Sequence, residues 1–178
     1  LLNWRTVAAV AAVVLLVFVA ILVVRMMPQN SAEQPLSNIA ARSMAINGWL
    51  GEYYTAITLT GEPAMVRDDA AIDFDWGNGA PTVSLPMDDF AVRWTRSMEM
   101  EAGVYRFFVQ SDDGVRVWVD GEMLIDEWHS SPGDQYEAET DLDAGTHLFK
   151  VEYYEQGGDA SIRFDWEVAT DWLGKYWT

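Results

Sequence analysis

The sequence predicts an all-β domain, an antiparallel β-sandwich, preceded by one N-terminal transmembrane α-helix. Three observations predict it. From Gly48 onward, apolar and polar residues alternate with a period of two, the spacing of strands with one buried face. These runs are short and separated by Gly, Pro and Asp clusters, the pattern of a sandwich or closed barrel. Ahead of them, Thr6 to Val24 is apolar throughout after its first residue.

At ~1.5 Å per residue the Thr6–Val24 run spans about 28 Å, close to the thickness of a bilayer's hydrocarbon core. Arg5 and Arg25 bracket it, and Trp4 stands where an interfacial aromatic belongs. The run is long for a signal peptide, and no small-x-small cleavage pattern follows it closely. A pilin-like start is also apolar, but Asn3-Trp4-Arg5 departs from that pattern. A short stub before a single span places the following domain outside the cytoplasm. The expected location is therefore the cell membrane, single-pass, with lipid contact through residues 6–24. Residues 26–47 carry Pro28, Pro35 and many Gln, Asn, Ser and Ala residues, and they read as a linker. Leu36 to Ala45, capped by Ser37, is the one stretch there that suits a short helix.

Strands follow in order. Trp49 to Tyr54 is the first. Arg67-Asp68-Asp69 reads as a loop, because three consecutive charged residues favour water. Ile72, Phe74 and Trp76 alternate with Asp73 and Asp75, and a turn over 77–81 follows. Phe90, Val92 and Trp94 form an inner face. Val104 to Gln110 is rich in β-branched and aromatic residues, and Ser111-Asp112-Asp113-Gly114 then reads as a turn into a paired strand. In that strand Val115, Val117 and Val119 share one face and Arg116, Trp118 and Asp120 the other. Asp120-Gly121 is a hairpin dipeptide, with Met123 to Ile125 resuming the sheet. Strands over Tyr136–Leu142 and His147–Tyr154 are joined at Asp143-Ala144-Gly145. The last strand turns Ala160, Ile162, Phe164 and Trp166 inward. No internal repeat of useful length stands out.

Several of these pieces carry a resemblance. SDDGVRVWVDGEMLIDEW and LDAGTHLFKVEYYEQGGDASIRFDW, with GWLGEYY, IDFDW and FAVRW upstream, resemble the PA14 domain in the expected order. The resemblance covers roughly Gly48 to Glu167 and divides the chain into a stub and span (1–25), a linker (26–47), a PA14-like sandwich (48–167) and an aromatic tail (168–178). It implies a β-sandwich module found in adhesins, carbohydrate-active enzymes and toxin propeptides, and no single function.

The formal charge is −17, nearly all of it after the linker. Such a domain repels phosphates, so nucleic acid is excluded as a partner, and a cation, a neutral glycan or a basic protein suits it. With no Cys there is no disulfide or thiolate metal site. Nine Trp fit a sandwich core.

Asp112-Asp113 is the sharpest chemical feature. Adjacent carboxylates repel unless neutralised, and Ca²⁺ is a natural neutraliser because it takes 6–8 oxygen ligands. The resemblance implies more. In sugar-binding PA14 domains this pair is joined by a cis peptide and holds Ca²⁺, which binds vicinal sugar hydroxyls. The matching second loop is Glu155 to Asp159, where Gln156 would offer an amide oxygen, Gly157 a carbonyl and Asp159 a carboxylate. The alternative is that both Asp side chains cap backbone N–H groups. Trp118, Trp128 and Tyr136 are candidates for an aromatic sugar platform, against ordinary packing. Trp172, Leu173, Tyr176 and Trp177 in the tail are expected to dock on a partner chain, the alternative being an added edge strand. His129 and His147 lack ligand spacing, and no nucleophile or phosphate-loop motif is present, so no enzyme is expected.

Two functions follow as expectations. One is a non-catalytic accessory or assembly subunit of a membrane-associated complex, with protein partners. The alternative is a Ca²⁺-dependent carbohydrate-binding module, as in an adhesin.

Overall fold

A computed structural model describes residues 47–169. The predicted span, all but the last linker residue, and the tail with Trp172, Leu173, Tyr176 and Trp177 lie outside the described residues.

Among the described residues every regular element is a strand: β1 Trp49–Tyr54, β2 Met65–Asp69, β3 Asp73–Gly77, β4 Phe90–Met100, β5 Gly103–Asp112, β6 Gly114–Val119, β7 Glu122–Glu127, β8 Asp134–Leu142, β9 Gly145–Glu155 and β10 Ala160–Val168. They form a six-stranded sheet in the order β2-β1-β4-β9-β6-β7 and a four-stranded sheet in the order β3-β10-β5-β8. Every pairing is antiparallel.

The period-two pattern decides which faces meet. Phe90, Val92 and Trp94 of β4, Val115 and Val117 of β6, and Phe149, Val151 and Tyr153 of β9 are all fully buried. Phe107 and Val109 of β5 and Ile162 and Phe164 of β10 meet them from the four-stranded sheet. Rings bridge the layers: Trp49 meets Phe164 edge-on at 5.6 Å, and Phe107 lies 5.9 Å from Phe149. Full burial of each such side chain is worth about 1.5–3 kcal/mol. The Asp120-Gly121 hairpin is as expected, with φ of 52° and 86° at the two turn residues. A smaller cluster of Tyr54, Leu59, Ala91 and Tyr154, with Ile57 and Trp128 against it, lies apart from the main core.

Two local expectations are corrected. Arg67-Asp68-Asp69 is not a loop but the last three of the five residues of β2, paired with β1. Asp69 is buried because its carboxylate is satisfied: Tyr53 Oη donates at 2.6 Å, Trp94 Nε1 at 2.8 Å, and the Arg67 guanidinium pairs with the other oxygen. Partners offset the loss of hydration that placed these residues in a loop. Second, Ser111 to Gly114 is not a hairpin turn. β5 pairs with β8 and β10, whereas β6 pairs with β7 and β9, so the two strands lie in different sheets. Asp113 alone separates them, and Asp112-Asp113 stands at a corner where the chain changes layers.

Candidate functional site

The corner is held by short-range polar contacts. Ser111 Oγ donates to the Asp113 carbonyl at 2.8 Å, and Ser131 Oγ to the Ser111 carbonyl at 3.1 Å. Asp113 is buried, and both of its carboxylate oxygens accept. Oδ1 takes Ser130 Oγ at 2.7 Å and the Ser131 N–H at 3.2 Å, and Oδ2 takes the Gln156 N–H at 3.0 Å. Asp113 therefore ties the corner to both the β7–β8 loop and the β9–β10 loop. The Asp112–Asp113 peptide bond is cis. Gly114 is required next to it, because a Cβ there would run into the Tyr154 ring.

β9 contributes the third acid. Val151, Tyr153 and Glu155 share its inner face, and Glu155 is fully buried. Carboxylate oxygens of Asp112, Asp113 and Glu155 all lie within 4.8 Å of one another. Burial, and then the Asp113 charge, push the Glu155 carboxyl up to about 7. Asp112, half-buried, is also raised, by burial first and then by Asp113 and Asp159. Glu155 Oε1 is buried with no hydrogen-bond partner among the described residues. An orphaned carboxylate oxygen among like charges is costly. A hard divalent cation would satisfy it and relieve the repulsion at once, and carboxylates and carbonyls are the donors such a cation takes.

The five residues expected to hold Ca²⁺ are therefore distributed unequally. Asp112 and Asp113 are at the centre. Gln156 reaches Asp113 through its backbone N–H, not its amide oxygen. Gly157 and Asp159 are exposed on the loop, and Asp159 Oδ1 accepts from Asn78 Nδ2 at 2.6 Å. Glu155 was missed as a donor although the alternation through Val151 and Tyr153 already pointed it inward.

The three aromatic candidates do not form one platform. Trp128 packs edge-on against Tyr154 at 4.7 Å, with the Arg116 guanidinium 4.6 Å above its ring. Lys150 Nζ lies 3.5 Å from the Trp118 ring centroid. Both indole faces thus carry a cation. Tyr136 belongs to the other sheet, packs against the main core and meets His129 edge-on at 6.3 Å. Tyr136 on β8 and Trp118 on β6 thus stand in different sheets, and Trp128 lies in the loop after β7.

Comparison with known proteins matches this fold. The PA14 domain family matches residues 46–172. The anti-sigma-I factor RsgI3 of Acetivibrio thermocellus is 40% identical over 122 residues, covering 67% of this chain and 19% of that protein. A solved anti-sigma factor domain-containing protein is 39% identical with a TM-score of 0.65, over 69% of this chain and 43% of its own. The PA14 sugar-binding domain from an RTX adhesin shares the fold at 21% identity and a TM-score of 0.61, over 69% of this chain and 90% of that domain. The chain thus spans about a fifth of the curated relative and under half of the first solved one. With the family match running over residues 46–172, the chain belongs to the PA14 domain family.

Proposed function

We propose that the chain is a non-catalytic recognition module of a membrane-associated regulatory assembly. In this reading Asp112, Asp113 and Glu155 hold Ca²⁺, and the ion offers its remaining positions to vicinal hydroxyls of a glycan. The observation that carries it is the buried, unpartnered Oε1 of Glu155 within reach of the Asp112 and Asp113 carboxylates. The protein's own part is to hold three acids at one corner against their mutual repulsion, with Asp113 fixed by three donors and Asp112 left half-exposed toward a ligand. The apolar run at 6–24 would anchor the module, with the sandwich outside the cytoplasm. The anti-sigma names of the relatives support a regulatory setting in which a sigma factor is the partner of the longer protein on the cytoplasmic side of that anchor, not of the sandwich.

The test is a thermal melt and a calorimetric titration with Ca²⁺, followed by a glycan array read with Ca²⁺ and with chelator. Saturable Ca²⁺ binding and chelator-sensitive glycan retention are expected. No heat, no melting shift and no retained glycan in millimolar Ca²⁺ would leave the acids as corner-capping groups and remove the recognition reading. The second reading, an accessory subunit that only assembles with partners, would then stand on the relatives' names alone. Protease added to intact cells should release the acidic domain, and release only from inverted vesicles would reverse the orientation.

A further inference from the structure

Five of the six residues of β1 are buried. Trp49 is buried against Phe164, and Tyr53 is fully buried with its hydroxyl on Asp69. Leu50 and Tyr54 are buried as well. Gly51 has no room for a side chain, since a Cβ there would stand 2.5 Å from Asp69 Oδ2 and 2.8 Å from the Tyr53 ring. Glu52 is the one residue of the strand that is not buried. Trp-Leu-Gly-x-Tyr-aromatic is thus what this position in the sandwich demands.

The same string recurs at the other end of the chain. Gly48-Trp49-Leu50-Gly51-Glu52-Tyr53-Tyr54-Thr55 and Asp171-Trp172-Leu173-Gly174-Lys175-Tyr176-Trp177-Thr178 agree at five of eight positions. Of the differences, Tyr54 against Trp177 keeps an aromatic, and Glu52 against Lys175 falls on the unburied position. Asp171 departs from Gly48, whose Cβ would clash with the Asp69 carbonyl. Trp172 follows Trp49 by 123 residues, a separation that just accommodates the sandwich from β1 to β10. Contrary to the expectation of no useful internal repeat, the chain thus carries one that is a single strand long.

We infer that residues 171–178 are the opening strand of a second sandwich of the same kind, which follows the first in the natural protein. Trp172, Leu173, Tyr176 and Trp177 then match the buried positions of β1, and the surface they need belongs to a following domain of the same chain rather than to a separate partner. Repeated domains on one chain would also present recognition sites at high effective concentration.

Two measurements test this. Intact mass of the protein isolated from its source should exceed the 20.0 kDa of these residues by on the order of 10 kDa or more, with peptides continuing past Thr178 that carry strand-and-turn patterning. A stop placed after Ala169 in the present chain should leave its melting temperature unchanged, because the segment has nothing to complete within the first sandwich. A natural protein ending at Thr178, or a truncated chain that melts several degrees lower, overturns the inference. The second result would make the segment an added strand of the first sandwich.

Discussion

Tyr153 and Glu155 share one hydroxyl proton with a third group. The Tyr153 hydroxyl donates to the Asp112 carbonyl at 2.5 Å and lies 3.2 Å from Glu155 Oε2. Two residues apart on the inner face of β9, one is an anchor for the acidic corner and the other is its most buried acid. Glu155 Oε2 shares the Tyr153 hydroxyl, whereas Oε1 is buried without a hydrogen-bond partner among the described residues, which is the condition a cation would correct.

Calcium should raise the melting temperature. Binding to the folded state alone contributes about 2.7 kcal/mol at a hundredfold excess over Kd, a shift of several degrees for a domain this size. Asp113→Ala and Glu155→Gln should each abolish the shift. The two differ without metal: Asp113→Ala strips partners from Ser130, Ser131 and Gln156 and lowers stability, whereas Glu155→Gln removes a buried acid and keeps or raises it. Scanning calorimetry with and without Ca²⁺ separates these outcomes.

Tyr153→Phe should cost about 1–2 kcal/mol in urea denaturation, since the Asp112 carbonyl loses its donor inside the fold. It should also weaken Ca²⁺ binding while leaving the strand in place, because the ring packs among Trp76, Phe90 and Trp94 regardless of the hydroxyl. Unchanged affinity in the variant would show that the hydroxyl does not position the corner.

Asp69→Ala should be among the most damaging single changes outside the corner, at about 3 kcal/mol or more. It leaves the Tyr53 hydroxyl, the Trp94 indole N–H and the Arg67 guanidinium without their shared acceptor. Tyr53→Phe removes only one of those donors and should cost roughly 1 kcal/mol. Chemical denaturation of both variants checks the ratio.

His147 should make stability depend on pH. Its ring meets the Asp143 carbonyl at 2.9 Å and Asp120 Oδ2 at 2.5 Å. The Asp143 carbonyl first, and then the Asp120 carboxylate, raise its pKa above the ordinary value near 6.5. A raised folded-state value means that the protonated ring stabilises the fold. That contribution is complete below about pH 6.5 and is lost as pH rises through the folded pKa. The stability lost in His147→Gln should be larger at pH 5.5 than at pH 8.5. Equal losses at both would show that the ring is held by geometry rather than charge.

The sequence by itself determined the class of fold and the facing of most strands. Alternation in Phe90-Val92-Trp94, Val115-Val117-Val119 and Ala160-Ile162-Phe164 is a property of a single extended chain, and hydrophobic burial then decides which side turns inward. Asp120-Gly121 was legible for the same reason, since a hairpin turn depends on its own two residues. Only the tertiary structure decided what depends on pairing between distant strands. It put β5 and β6 in different sheets, which made Asp112-Asp113 a corner instead of a turn. It buried Asp69 by bringing Tyr53 and Trp94 to it, put Tyr136 and Trp118 in different sheets, and carried Glu155 to the acid pair. Local geometry is written residue by residue, but whether a charged group is buried or solvated depends on neighbours that only the assembled sheets supply.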